Sequence, residues 1–314
     1  MGVSIVIPNF NGERLLPSCL AALAAQTVAP DQVVVVDNGS RDRSVELLRR
    51  DHPEVEVVPL SRNHGYAGAA NRGVAHATGE LVAILNSDAR PAPDWLAELL
   101  AAPRDGDVWA WGSVLLRPGG ELVESAGDHW HEAGFASKLL SERPVAELPR
   151  EPYEVVAPPG AAPLYRADRL RELGGWEERY FLYFEDVDLA LRALLRGWRA
   201  LEVPSARVEH DLGASGGGPR RRFHVARNAV WTAVRCNPEP STRAIAREVL
   251  RELGRRRPPL PLVAVEAAGR LAALATLPWA LRTRRRIQAE RAIAPGEWRR
   301  RLDAPRRVDP RLPA

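Results

Sequence analysis

The chain has 314 residues, of which 45% are hydrophobic and 27% charged, so it can bury a full core and is not a disordered protein. Its two cysteines, Cys19 and Cys236, lack CxxC spacing, which excludes a zinc knuckle and a disulfide framework and favours a reducing cytoplasm. A strand pattern begins at Val3 without the basic and apolar segments of a signal peptide, so we expect no signal peptide.

The net charge of +4 is unevenly distributed along the chain. Residues 1–240 hold 26 basic and 33 acidic side chains, whereas residues 241–314 hold 18 basic and seven acidic ones. A nucleic-acid-binding protein would spread positive charge over a groove with stacking aromatic residues, so we expect no nucleic acid partner. An anionic membrane surface, contacted through residues 258–301, is the simpler partner.

Up to about residue 100, short β-type runs alternate with helical patterns, which predicts a mainly parallel α/β sheet. Leucines at helical spacing predict a helix from Leu16 to Leu23, and Ala67–Ala77 is predicted to be a helix of small residues that approaches the sheet closely. The predicted strands are Val3–Ile7, Val33–Val36, Val55–Val58 and Leu81–Leu85.

The middle of the chain is less regular. Val108–Leu116 is predicted to be a strand, and residues 141–152 are predicted to be a loop. Helices are predicted at Arg166–Leu173 and Val187–Arg196, because glycines follow both segments and can end a helix.

The C-terminal segment has a composition of its own. Ala244–Leu253 is predicted to be an amphipathic helix, and Leu260–Leu281 is apolar except for Glu266 and Arg270, which can pair across one helical turn. Its uninterrupted apolar run is too short to span a bilayer, so we expect an interfacial helix; packing on the main domain is the alternative. The residues expected at the lipid headgroups are Trp279, Arg282, Arg284, Arg285 and Arg286.

Three predicted strands run directly into polar residues. In an open parallel sheet, ligands bind beyond the carboxyl ends of the strands, although each polar group alone could be an ordinary turn. Neither GxGxxG nor a P-loop follows a predicted strand, so a bound nucleotide diphosphate would need a divalent cation, for which Asp88 is the best-placed ligand. The polar residues are Asn9, Asn11, Asp37, Asn38, Asn86 and Asp88.

Five motifs in order resemble those of glycosyltransferase family 2, which has the GT-A fold, and they are most similar to the bacterial rhamnosyltransferase-like branch. The resemblance covers residues 3–235 and implies a Rossmann-like α/β catalytic domain at 1–240, followed by a helical, basic appendage at 241–314. The motifs are VSIVIPNFNG, VVDNGSRD, NHGYAGAANRG, LNSD and YFEDVDL.

The resemblance implies a donor site that includes a cation. Asp88 stands in the family's DxD-like motif and would hold Mn²⁺ or Mg²⁺ together with His210, although a lone histidine is more often structural. Asn86 leaves this motif with one carboxylate, so we expect modest metal affinity without the nucleotide. Arg227 would reach the phosphates from a lid that begins with the flexible stretch Gly213–Gly218, unless it belongs to a solvated basic face. The implied donor residues are Pro8, Asn9, Asn11, Asp37, Asn38, Asn63, Gly65, Asn71, Asn86 and Arg227.

The resemblance also implies the catalytic residues. Asp186 aligns with the general base of the family's Glu-Asp motif, Glu185 precedes it, and we expect the helix N-terminus to keep Asp186 ionised. On spacing alone, this acidic run is also explained by favourable charge placement at a helix N-terminus, with Asp188 pairing Arg192. Gly160 and Ala161 would leave room for the acceptor, although this segment could equally be a plain turn.

Together these positions imply an inverting, metal-dependent glycosyltransferase at the cytoplasmic face of the plasma membrane. It would move a sugar from a UDP- or dTDP-linked donor to a glycan or lipid-linked acceptor in cell-surface polysaccharide synthesis. The alternatives are a sugar-phosphate nucleotidyltransferase, which would need a basic glycine-rich segment that Asn9–Gly12 lacks, and a catalytically silent, membrane-tethered module that binds sugar nucleotides.

Overall fold

The computed structural model describes residues 2–211, 218–239 and 260–312. The predicted helix at Ala244–Leu253 and all but the last residue of the predicted flexible stretch Gly213–Gly218 lie outside the described residues. The strands are β1 Val3–Asn9, β2 Gln32–Asp37, β3 Glu56–Pro59, β4 Leu81–Ile84, β5 Ala89–Pro91, β6 Val108–Leu116, β7 Val123–Ser125, β8 Asp128–His131, β9 Phe135–Lys138, β10 Tyr153–Val155, β11 Leu164–Arg166 and β12 Arg199–His210. The helices are α1 Leu16–Ala24, α2 Ser44–Asp51, α3 Gly65–His76, α4 Trp95–Ala101, α5 Ala167–Glu172, α6 Glu185–Leu195, α7 Pro219–Cys236, α8 Leu260–Ala275, α9 Leu277–Ala289 and α10 Pro295–Asp303.

A mixed, mostly parallel sheet forms the centre of the molecule. Its main strand order is β10-β12-β6-β11-β4-β1-β2-β3, with β5 paired to β12 and β7 paired to β6. Strands β4, β1, β2 and β3 run parallel to one another, whereas β11 is antiparallel to both β4 and β6. Helices flank this sheet, so the predicted α/β GT-A class is confirmed.

The predicted elements match the structure best where the hydrophobic pattern is long or sharply bounded. The four N-terminal strands agree with β1–β4 to within two residues at either end, and Val108–Leu116 is β6 as predicted. The sequence did not reveal α2 and α4, nor β7, β8, β9 and β10. These elements are short, and a three- or four-residue strand carries too little alternation to be recognised.

Helix α8 and helix α9 correct the prediction of one helix over Leu260–Leu281. The chain bends by 63° between them, and Thr276 precedes α9. Among the described helices, none alone has the length and apolar composition needed to cross a membrane. Residues Pro261–Ala275 of α8 and the whole of α9 reach that length and composition only when they are taken together. One face of this pair packs on α7, where Trp231 Nε1 donates to Thr276 Oγ1 at 2.9 Å.

Two of the residues expected at lipid headgroups are instead used for this packing. Arg284 donates to the backbone carbonyls of Val234 and Asn237 at the end of α7. The Trp279 ring contacts the Trp231 ring at a centroid distance of 4.9 Å. Arg284 and Trp279 therefore contact α7, as the alternative of packing on the main domain expects, and a headgroup contact stays a prediction.

Helix α3 approaches the sheet at Gly73, as its small residues predict. A β-carbon on Gly73 would lie 2.1 Å from Val6 Cγ1 and 3.0 Å from Val36 Cγ2. Both valines are fully buried in the parallel strands, so they cannot move aside easily. The missing side chain therefore sets the distance between α3 and the sheet.

We predict that Gly73→Ala lowers the free energy of unfolding by about 1–3 kcal/mol through overpacking, although alanine is the better helix former. The control is Gly296→Ala in α10, where an added β-carbon meets no atom within 4 Å and should stabilise by about 0.5–1 kcal/mol. Urea unfolding of both variants measures the difference. Equal effects in both would contradict the close helix–sheet contact.

Candidate active site

The polar residues that follow β1, β2 and β4 lie at one edge of the sheet. Because Asn9 pairs in register with Asp37 and Val6 pairs with Ile84, the carboxyl ends of these parallel strands are adjacent. Asn9 Nδ2 donates to Asp37 Oδ1 at 3.0 Å, and both residues are buried. This edge is the ligand-binding crevice expected of such a sheet.

Two buried amide oxygens at this edge have no hydrogen-bond partner within the described residues. They are Oδ1 of Asn9, after β1, and Oδ1 of Asn86, after β4. Burying a polar atom without a partner costs free energy, and such atoms occur where a ligand or water completes the site. Asn9 and Asn86 therefore fit the predicted contact with a donor. Pro8 precedes Asn9 in β1, beside Val36 of β2.

The loops after β2 and before α3 are held together by asparagines. Asn38 donates to the Asn63 side chain at 3.2 Å and to the Gly65 carbonyl at 2.9 Å. The Asn11 carboxamide accepts from the Arg41 backbone N–H at 2.8 Å, which joins the first loop to the second. The loops that carry the predicted donor residues are thus joined by side-chain hydrogen bonds.

Asn71 and Arg227 are committed to other partners in this structure. The Asn71 carboxamide donates to the Trp176 carbonyl at 2.8 Å and accepts from its N–H at 2.9 Å. The Arg227 guanidinium donates to the carbonyls of Arg179 and Tyr180 and lies 4.3 Å from the centre of the Trp231 ring. Their placement supports a role in anchoring loops, and direct donor contact stays a prediction for both.

Asp88 and His210 lie side by side, as the metal prediction requires. His210 Nε2 is 3.2 Å from Asp88 Oδ1, and His210 Nδ1 is 2.8 Å from Glu124 Oε2. Burial lowers the pKa of His210, but the hydrogen bonds and charges of Asp88 and Glu124 raise it to about 9. A cation bound at Nε2 would therefore displace a proton.

The donor set at Asp88 fits a divalent cation that is shared with a phosphate ligand. A carboxylate oxygen and an imidazole nitrogen together suit Mn²⁺, and Mg²⁺ usually takes one or two protein carboxylates plus phosphate oxygens. In the described part of the chain, no three His, Cys, Asp or Glu side chains are grouped to hold a metal by themselves. The site thus suits a cation that arrives with a diphosphate.

Glu185 and Asp186 begin α6 and face the segment predicted to bind the acceptor. A β-carbon on Gly160 would lie 2.5 Å from Asp186 Oδ2, so only glycine leaves this carboxylate in place. Ala161 accepts a backbone hydrogen bond from Asn86 at 2.8 Å, which joins the same segment to the end of β4. The predicted base and the predicted metal-binding loop therefore flank one segment.

Burial dominates the electrostatics of this acidic pair. Burial raises the pKa of Asp186, although backbone hydrogen bonds from Val187 and from its own N–H, and the charge of Lys138, lower it. The pKa of Glu185 is raised well above its usual range by burial and by Asp186, and Glu185 Oε2 has no hydrogen-bond partner among the described residues. The backbone N–H groups at the start of α6 thus favour the ionised form of Asp186, as expected of a helix N-terminus, while burial opposes it. Two negative charges on this pair are disfavoured, and Asp186 as the base stays a prediction.

Tyr66 shows that the two ends of the site are close together. Its hydroxyl donates to the Gly160 carbonyl at 2.7 Å. Burial raises the pKa of Tyr66, and the charges of Glu185, Asp186 and Asp88 raise it further. One side chain is thus within electrostatic reach of both the base and the metal ligand.

The aromatic segment before α6 is held in a strained conformation. Phe181, Tyr183 and Phe184 all have positive φ, at 66°, 69° and 68°, which bulky L-residues rarely adopt. Asn228 Nδ2, on α7, donates to the carbonyls of Tyr180, Leu182 and Tyr183 at 2.7–3.1 Å. Such strain persists only where the surroundings fix it, and it commonly occurs at functional sites.

Sequence reasoning missed several residues of this site. Glu124 and Lys138 form an ion pair of 2.5 Å beside His210, and Asn228 clamps the aromatic segment. Asp128 is partly buried nearby, where desolvation and the charge of Asp186 raise its pKa to about 7. None of these belongs to a motif after a predicted strand, although a single lysine among 44 basic residues was an available signal.

The arrangement can bind a nucleoside diphosphate and deprotonate a hydroxyl beside it. Buried amide oxygens and Asp37 line the sheet edge, Asp88 and His210 suit a cation on the phosphates, and Asp186 supplies a base. With the mixed sheet behind it, this site defines a glycosyltransferase of the GT-A class.

Comparison with known proteins identifies the family. The family model described as glycosyl transferase family 2 matches residues 4–156. An N-acetylglucosaminyl-diphospho-decaprenol L-rhamnosyltransferase of Mycobacterium tuberculosis is 32% identical, over 68% of this chain and 77% of the relative. A pre-mycofactocin glycosyltransferase of the same organism is 34% identical, over 67% of this chain and 42% of its own. The chain belongs to glycosyltransferase family 2, and its sequence is consistent with the rhamnosyltransferase-like branch.

Solved structures support the same fold. Residues 1–349 of S. aureus TarS in complex with UDP superpose with a TM-score of 0.57 at 18% identity, over 98% of this chain and 92% of that fragment. GalNAc-T7 with UDP, GalNAc and Mn²⁺ gives a TM-score of 0.62 at 18% identity, over 76% of this chain and 48% of its own. At these identities the similarity concerns the fold.

Asp188 lies in the first turn of α6, two residues after Asp186. It is fully buried, and its carboxylate pairs with Arg192 at 2.9 Å, as predicted, and with Arg235 at 3.0 Å. Burial alone would raise its pKa, but the charges of Arg235 and Arg192 and the hydrogen bonds of Arg192 and Tyr180 lower it overall.

We predict that Asp188→Asn lowers the free energy of unfolding by about 3–5 kcal/mol at neutral pH, because it leaves the buried Arg235 without its main counter-charge. A lowered pKa stabilises above the unfolded value and is lost as pH falls through the folded one, so the difference from wild type should shrink in acid. Urea unfolding at neutral and acidic pH measures this, with exposed Asp168→Asn as control. A difference independent of pH would contradict the ion pair.

Proposed function

We propose that this family 2 glycosyltransferase transfers a sugar, with inversion, from a UDP- or dTDP-linked donor to a glycan or lipid-linked acceptor in cell-surface polysaccharide synthesis. The observation that supports the proposal is that Asp186 and the Asn86–Asp88 loop flank the same Gly160–Ala161 segment, Asp186 at Gly160 and Asn86 at Ala161. The name of the mycobacterial relative describes a rhamnosyltransferase for a diphospholipid-linked sugar, which supports a lipid-linked acceptor.

The donor would bind along the sheet edge. Asp37 and the unpartnered amide oxygens of Asn9 and Asn86 offer acceptors to the base and ribose. Asp88 and His210 would hold Mn²⁺ or Mg²⁺ on the diphosphate. When bound, the cation neutralises the charge that develops on the departing nucleoside diphosphate. UDP and Mn²⁺ in solved structures of the same fold support this arrangement.

Asp186 would act as the general base for the acceptor hydroxyl. It takes the hydroxyl proton as the oxygen attacks the anomeric carbon, and the bond from that carbon to the diphosphate oxygen breaks. A raised pKa suits this role, since a base is most effective when its pKa is near the working pH. Burial and the neighbouring Asp186 raise the pKa of Glu185, which disfavours a second negative charge beside the base. A single displacement of this kind inverts the anomeric centre.

We predict that Asp186→Asn lowers the rate of sugar transfer by about 10²–10⁴-fold and leaves donor binding unchanged. A thermal-shift screen of UDP-, dTDP- and GDP-sugars with and without Mn²⁺ first identifies the donor. Transfer to a lipid-linked acceptor is then measured, with Asp168→Asn as the matched control.

Two results would count against the proposal. If no sugar nucleotide stabilises the chain with Mn²⁺, the donor assignment is wrong. If the donor binds and Asp186→Asn transfers sugar at the wild-type rate, the base has been assigned to the wrong residue.

We also propose that the chain acts at the cytoplasmic face of the plasma membrane, bound peripherally through α8 and α9. The face of these helices turned away from α7 exposes Leu271, Leu274 and Leu281, at 65%, 56% and 44% of their surface. Arg282 and Arg285 are exposed beside the last of these, and the Arg286 side chain is 80% exposed. Apolar side chains next to arginines complement an anionic bilayer surface, where each arginine contributes about 1 kcal/mol.

We predict that the protein sediments with phosphatidylglycerol vesicles and not with phosphatidylcholine vesicles, and that Leu271→Glu with Leu274→Glu weakens this binding at least about tenfold. Leu122→Glu, at a 39% exposed leucine elsewhere, is the control and should bind as wild type does. Equal binding of wild type to both kinds of vesicle, or no effect of the leucine changes, would exclude this surface.

A further inference from the structure

The single lysine of the chain lies beside the proposed metal site. Lys138 is the last residue of β9, directly opposite Asp128 in the β8–β9 pair. Its Nζ is 2.5 Å from Oε1 of Glu124, whose side chain is only 3% exposed. Every other basic side chain apart from histidine is an arginine.

Glu124 divides its two oxygens between two partners. Oε1 accepts from Lys138, and Oε2 is 2.8 Å from Nδ1 of His210. Because Nδ1 is engaged by this carboxylate, Nε2 of His210 is directed to Asp88 at 3.2 Å. Both the ring orientation and the nitrogen that is left for a cation therefore depend on where the Glu124 carboxylate lies.

We propose that Glu124 and Lys138 are positioning residues that orient His210 toward the cation. Metal-binding histidines commonly donate their second ring N–H to a carboxylate, which fixes the tautomer and strengthens the ligand. Lys138 holds the carboxylate from its other oxygen, so the glutamate cannot rotate away from the imidazole. This inference rests on the proposed function, because it requires a cation at Asp88 and His210.

Lys138 contributes its positive charge as well as a hydrogen bond at this position. A buried carboxylate between two donors needs a counter-charge, and Lys138 provides it while its own side chain stays 44% exposed. The same charge reaches the base, because it lowers the pKa of Asp186 and of Asp128. Lys138 therefore contacts Glu124 at the cation end, and its charge also favours the ionised form of Asp186.

Mn²⁺ affinity in the presence of UDP, measured by electron paramagnetic resonance, tests the inference without any transfer assay. Glu124→Gln and Lys138→Met should each weaken Mn²⁺ binding by about 10–100-fold. Lys138→Arg, which keeps the charge and the donor, should restore affinity to within a few-fold of wild type. Arg143→Met removes a neighbouring exposed ion pair with Glu147 and serves as control, with no change expected.

Chemical modification of the wild-type protein provides a second measurement that does not depend on folding of a variant. Acetylation with an N-hydroxysuccinimide ester reaches Lys138 and the α-amino group and removes the lysine charge. Mn²⁺ affinity should fall as in Lys138→Met. The Lys138→Arg variant treated in the same way is modified at the α-amino group alone and should lose nothing.

The outcomes separate this inference from the function on which it rests. If wild type binds no Mn²⁺ with any sugar nucleotide, the metal-dependent function and this inference both fail. If wild type binds Mn²⁺ and Glu124→Gln, Lys138→Met and the acetylated protein bind it equally well, the function stands and the positioning role is wrong.

Discussion

The parallel register of β4, β1 and β2 is the constraint on which the site depends. Because Asn9 lies beside Asp37, and β4 pairs with the other edge of β1, three separate turns meet within one crevice. Small residues of α3 let this layer pack closely, and Gly73 touches Val6 and Val36 directly. A shift of one strand by one residue would turn these side chains to the opposite face of the sheet.

The buried carboxylates at the start of α6 are a second feature of the site. Asp188, in the first turn of α6, is compensated by Arg192 and Arg235, which favour its ionised form. Glu185 lacks such compensation, and burial together with Asp186 raises its pKa. The pKa values of carboxylates in one helical turn are thus shifted in opposite directions because their surroundings differ, as is common where acid and base chemistry are combined.

Composition left open whether the C-terminal helices lie on a membrane surface or pack on the main domain, and their two faces differ in this respect. One face of α8 and α9 packs on α7, where Trp231, Trp279 and Arg284 find partners. The other face leaves leucines and arginines exposed. An amphipathic pattern predicts that a helix has an apolar face, but not whether protein or lipid covers it.

The sequence alone determined the parallel sheet, the polar strand ends and the five family motifs, because periodicity and turn chemistry are local properties. The resemblance carried by those motifs also predicted that Asp88, Asp186 and His210 belong to one site. Only the tertiary structure decided that Glu124, Lys138 and Asn228 belong to it, since these residues come from the irregular middle of the chain and from α7, and reach the site through long-range packing. It likewise turned Asn71 and Arg227 to backbone carbonyls, because the groups that compete for a side chain are known only once the chain has folded.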